Sequence, residues 1–97
     1  MAEYRLSLAA DNDLSEIFRY GFDRYGPKQT TDYVERLVDR LQRMADEPTL
    51  FASTHHVAPG SRRCVFGAHS IYFRVTEQGI LVLRILGRQD PAAAFRS

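Results

Sequence analysis

Arg63, Tyr72 and Arg84 are residues of this 97-residue chain whose types could together handle an anion and a proton. A guanidinium presents a planar fork of N–H donors that fits a carboxylate or a phosphate. A phenol held between two such forks could give or take a proton while they steady a phosphorane. Three readings follow if all three share one surface: partner binding, phosphodiester cleavage, or an ordinary solvated sheet face. Other chemistry-bearing residues stand alone. His55 and His56 are adjacent but lack the third and fourth ligands of a metal site. Cys64 has no base at a readable spacing and reads as a buried thiol, and His69 as a packed residue at a hairpin end. No phosphate loop, nucleophile elbow, zinc spacing or paired-carboxylate signature is present. Neither a catalytic group nor a metal or cofactor is assigned.

The elements that must position these residues follow from periodicity. "YRLSL" alternates Tyr4, Leu6 and Leu8 with polar residues and reads as a short strand. Ser7 or Asp11 can cap a first helix with apolar positions Ala10, Leu14, Ile17, Phe18 and Gly21. Gly26 suits a left-handed helix end, and Pro27 can start the next helix. In that second helix Tyr33, Val34, Leu37, Val38, Leu41 and Met44 form one stripe. Asp32–Arg36 and Asp39–Arg43 have the spacing of surface ion pairs. A polar loop, roughly 47–61, leads to three strands, and "DPAAAF" reads as a helical turn capped by Asp90.

Turn chemistry sets an expected register. Gly67-Ala68 reads as a two-residue type II′ loop, pairing Phe66 with His69, Cys64 with Ile71 and Arg63 with Tyr72. A three-residue "EQG" loop would pair Val75 with Leu81, Phe73 with Leu83 and Ile71 with Ile85, with Gly79 in a bulge. One face then holds Cys64, Phe66, Ile71, Phe73, Val75, Leu81, Leu83 and Ile85, against the helices. The other holds Arg63, Ser70, Tyr72, Arg74 and Arg84 among Val65, Val82 and Leu86. Arg63, Tyr72 and Arg84 form one row roughly 5 Å apart, with cation–π contact expected. The apolar members favour coverage by a protein. In helix one, Phe18, Phe22 and Tyr25 read either as a satellite core or as a docking groove for a partner helix.

Composition narrows the class. Hydrophobic residues at 44% and charged residues at 26% fit one soluble globular domain over 1–97 and exclude disorder. No apolar run spans a membrane, and the start "MAEYRL" carries an acid and no secretory apolar region. The single cysteine suits a reducing cytoplasm. Residues 1–61 hold seven Lys and Arg against ten acids, while 62–97 hold six arginines against two acids. That local excess fits an acidic protein partner at least as well as nucleic acid, and direct nucleic-acid binding is not expected.

The order strand, helical hairpin, polar loop, three-stranded antiparallel meander and short tail is α+β. With "LSLAADNDLSEIFRYGFDRYG", "YVERLVDRLQRMADEP", "SRRCVFGAHSIYFRV" and "ILVLRIL", it resembles the RelE/ParE superfamily of bacterial toxins, and most closely its ParE branch. The resemblance spans nearly the whole chain. It implies a toxin held inactive by a co-encoded, ParD-like ribbon-helix-helix antitoxin, with DNA gyrase inhibited by binding. The alternative is a RelE-type ribosome-dependent mRNA endonuclease, and a third is a degenerate member that only titrates antitoxin. Gly87 stands where the family often has a histidine, and the tail lacks a late Tyr or His, which favours binding over cleavage. Residues expected to meet antitoxin or target are Phe18, Phe22, Tyr25, Arg63, Tyr72, Arg74, Arg84, Arg88 and Phe95.

Overall fold

The computed structural model describes residues 2–87 and 90–96, the last without its side chain. Arg88 lies outside them. Strand β1, Glu3–Leu6, runs into helix α1, Leu8–Tyr25. Ser7 makes that junction: its backbone is extended, and its hydroxyl accepts the Ala10 N–H at 3.0 Å while donating to the Leu83 carbonyl at 2.8 Å. One side chain thus caps a helix and pins it to a distant strand. Gly26, at φ 85°, turns the chain in a conformation L side chains avoid, and Pro27 opens helix α2, Pro27–Asp46.

Helix α2 buries the stripe that its sequence specifies. Leu37, Leu41 and Met44 have no exposed surface. The expected Asp32–Arg36 pair forms differently: Lys28 takes the Asp32 carboxylate at 3.0 Å, and Arg36 donates to the Asp32 carbonyl instead. Against α1, Gly21 sits where an added Cβ would come within 3.0 Å of Thr30. Small Gly21 therefore lets the two helices close on each other.

The sheet has five strands in the order β1-β5-β4-β3-β2, where β2 is Ala52–Ser53, β3 Arg62–Phe66, β4 His69–Val75 and β5 Gly79–Leu86. β1 is parallel to β5, and the other pairs are antiparallel. A 3₁₀ turn, Pro48–Leu50, precedes β2, and a short helix α3, Pro91–Arg96, closes the chain. The expected order of elements holds; the two-residue β2 inside the polar loop was not foreseen. Gly67 has φ 55° and Ala68 a negative φ, as a type II′ loop demands, and the β3–β4 pairing is the expected one.

The β4–β5 register corrects the sequence reading. Thr76 and Gly79 bond each other's backbone, so the loop is two residues, Glu77-Gln78. Val75 faces Ile80 and Phe73 faces Val82; a bulge at Leu83 then restores Tyr72 opposite Arg84 and Ile71 opposite Ile85. Strand β5 therefore changes phase: Ile80 and Val82 point into the core before the bulge, and Ile85 after it. Val82, expected on the outer face, is fully buried in the core, and Val75, expected inside, is 51% exposed. The run "ILVL" is apolar on both phases, so alternation alone could not choose.

Gly79 is required by β1 and not by a bulge. Its φ is 152°, and a Cβ there would overlap the Glu3 carbonyl oxygen. Gly79→Ala should break the β1–β5 seam and cost about 3 kcal/mol or more. Urea unfolding checks this; a variant within about 0.5 kcal/mol of wild type would contradict it.

Candidate functional site

The row Arg63, Tyr72, Arg84 exists in the backbone, since Arg63 pairs with Tyr72 and Tyr72 with Arg84. It is not an open basic surface. Phe95 of α3 meets the Tyr72 ring edge-on at 5.5 Å between centroids, leaving Tyr72 2% exposed. Leu86, on the same face, is 1% exposed. Expected cation–π contact to Tyr72 is replaced by this aromatic pair, because one and a half turns of helix roof the middle of the row. Among the described residues, the guanidinium–ring contacts are Arg24 over Tyr20 and Arg40 over Phe66.

Arg84 leaves the row sideways. Its Nε and Nη2 donate to the two Asp13 oxygens at 2.8 and 2.9 Å, and Nη1 reaches the Ala94 carbonyl at 3.3 Å. Asp13 also accepts the Ile85 backbone N–H at 2.9 Å. The expectation that Arg84 faces away from the helical hairpin is therefore corrected: its charge reaches α1, but with a fork-on-fork partner that offsets desolvation. Asp13 raises the Arg84 pKa, chiefly through that hydrogen bond, so the guanidinium stays charged. Sequence reading passed over Asp13. The available signal was an acid lying in the apolar stripe of Ala10, Leu14 and Ile17.

Arg63 and Arg74 remain at the surface; Arg74 donates from Nε to the Pro59 carbonyl at 3.0 Å. Phe95 packs on the sheet and does not project. On α1, Phe18, Phe22 and Tyr25 recur at i, i+4 and i+7 and are 40%, 45% and 54% exposed. The Phe18 and Phe22 rings stack at 5.9 Å. This flank is apolar and half-exposed among the described residues, whereas the row is largely occupied by the chain itself. Among the described residues no group of His, Cys, Asp and Glu could hold a metal ion, and no helix is long and apolar enough to cross a membrane.

Residues 4–91 match the family model for the ParE toxin of the type II toxin–antitoxin system parDE. The chain belongs to the ParE toxin family. Toxin ParE1 of Caulobacter vibrioides is 32% identical over 94 residues, covering 97% of each chain. Toxin ParE1 of Mycobacterium tuberculosis is 34% identical over 86 residues, covering 88% of each. In fold, the chain superposes with a TM-score of 0.77 on a chain of the chromosomal ParDE TA system from P. aeruginosa, at 23% identity, over 92% of this chain and 98% of that one. The resemblance to the ParE branch is thereby established, on a ParE-like α+β fold.

A second polar cluster ties α2 to the β3–β4 turn. The Tyr33 hydroxyl lies 2.7 Å from His69 Nδ1 and 3.3 Å from the Phe66 carbonyl. Burial lowers the His69 pKa, and burial also raises that of Tyr33 against smaller opposing effects of the Ala68 backbone and Arg36. The fold therefore favours neutral His69. The unfolded chain takes up this proton near pH 6.5, before the folded chain does. Stability from His69 is present above that pH and falls as pH drops toward the lower folded value. Urea unfolding from pH 7.5 to 5.0 should show wild type losing stability relative to His69→Gln; parallel curves would contradict this.

Proposed function

We propose that this chain is a toxin neutralised by a co-encoded, ParD-like ribbon-helix-helix antitoxin, and that it inhibits DNA gyrase by binding, without bond-breaking chemistry of its own. Family membership supports the toxin role. The observation that carries the binding mode is the closure of the Arg63–Tyr72–Arg84 row: its phenol lies beneath Phe95 and one of its two forks is filled by Asp13. An RNA-cleaving site needs a proton-transfer group that can touch its substrate. Of the residues expected to meet a partner, the α1 flank of Phe18, Phe22 and Tyr25 and the surface cations Arg63 and Arg74 stay exposed. On this reading the aromatic flank seats an apolar antitoxin helix, and the arginines orient acidic residues beside it. A cytoplasmic location fits a gyrase target.

Purified chain incubated with gyrase and plasmid should block supercoiling or trap cleaved DNA, and the antitoxin should reverse it. Tyr72→Phe keeps the ring that Phe95 packs on and should stay active and bind antitoxin. Phe18→Ala and Arg74→Glu should each weaken the antitoxin complex by about 1 kcal/mol. Cleavage of ribosome-bound mRNA, abolished by Tyr72→Phe and with gyrase unaffected, would establish the RelE-type endonuclease instead.

A further inference from the structure

On the β1 side, Ser7 and Asp13 of the α1 region bond the second half of β5, whereas the opposite edge is covered only in part. Ala52 pairs with Arg63 and Ser53 with Arg62, and Thr54 donates to the Ser61 carbonyl at 2.8 Å. Antiparallel ladders alternate, so Ser61, Arg63 and Val65 all aim their backbone groups away from β4. The next partner along this ladder, opposite Val65, would be Leu50. The chain does not supply it, because Pro48–Leu50 turns as a 3₁₀ helix and leaves the sheet. Among the described residues, the Cys64 thiol lies 3.8 Å from the Val65 carbonyl. Val65 is 58% exposed and Leu50 62% exposed on either side of the gap.

Charge surrounds this edge on both faces. Arg63 precedes Val65 on the outer face, and on the inner face Arg40 stacks its guanidinium 5.3 Å over Phe66. Among the described residues neither cation forms an ion pair, and no carboxylate covers them. A second copy of this chain pairing edge to edge would bring Arg63 close to its own counterpart, which like-charge repulsion disfavours. An extended segment with an apolar residue opposite Val65 and carboxylates on either side would satisfy both the ladder and the cations.

We infer that the outer edge of β3 at Val65 accepts one added strand from an extended, carboxylate-bearing segment of the antitoxin. The inference rests on the antitoxin reading above and concerns a surface separate from the α1 flank. Main-chain bonds to Val65 supply the pairing, and Arg63 and Arg40 select for acid. The Val65 N–H points outward, so proline there removes the donor while sparing the β3–β4 ladder.

Amide exchange of Val65 is measured in the free chain and in its complex with the purified, co-encoded antitoxin, alongside affinities of Val65→Pro and Val65→Thr. The expected result is a Val65 amide slowed at least about tenfold in the complex, an affinity loss of about tenfold for Val65→Pro, and wild-type binding by Val65→Thr. A complex that forms while Val65 exchanges as freely as before overturns the inference and leaves the antitoxin reading intact. Slowing that appears in the toxin alone and grows with its concentration assigns the edge to a second copy and also overturns it. Failure to form any complex removes the antitoxin reading, and this inference with it.

Discussion

The structure depends on how the outer edge of β5 is satisfied. β5 has eight residues and its neighbour β1 only four, so pairing ends at Leu6–Val82 with half of β5 still to come. Backbone groups left unpaired in a partly buried edge cost about 1–3 kcal/mol each. Helix α1 supplies the partners through side chains: Ser7 donates to the Leu83 carbonyl, and Asp13 accepts from the Ile85 N–H. α1 therefore works as a surrogate for the missing stretch of strand. Arg84 completes the seam by holding both Asp13 oxygens and the Ala94 carbonyl, joining α1, β5 and α3 at one charge.

That seam consumes part of the Arg63–Tyr72–Arg84 row. An Arg-Tyr-Arg row on an open sheet would be an anion site. Here one guanidinium is committed to the fold, and the phenol is covered by the tail that the same guanidinium helps hold. What remains accessible suits recognition: stacked rings along α1 and separate surface cations. The Arg84 fork and the Tyr72 ring are both spent on holding the fold together.

Local chemistry was legible where one residue type answers one local demand. Ser7 as cap, Gly26-Pro27 between helices, the α2 stripe and the Gly67-Ala68 loop all follow from such demands. Strand β5 was not legible past its existence. With Ile, Leu and Val at successive positions, either phase buries enough apolar surface, and the choice fell to a bulge at Leu83 and to Glu3 lying against Gly79. Glu3 and Gly79 are 76 residues apart in sequence, a contact invisible to any local window. The same holds for the site: the row was readable from hairpin register, but its closure by Phe95 and the reach of Arg84 to Asp13 are tertiary events. Val65 was placed on the outer face, yet its open edge appears only once β2 is seen to stop at two residues.

A double-mutant cycle between Asp13 and Arg84 tests the central claim most directly, with stabilities of Asp13→Ala, Arg84→Ala and the double variant measured by urea unfolding. The side chains are only 13% and 22% exposed and meet in a two-pronged contact. A coupling energy of about 2 kcal/mol is predicted, in the range of hydrogen bonds to charged groups. A coupling below about 0.5 kcal/mol, as exposed surface pairs give, would contradict the account.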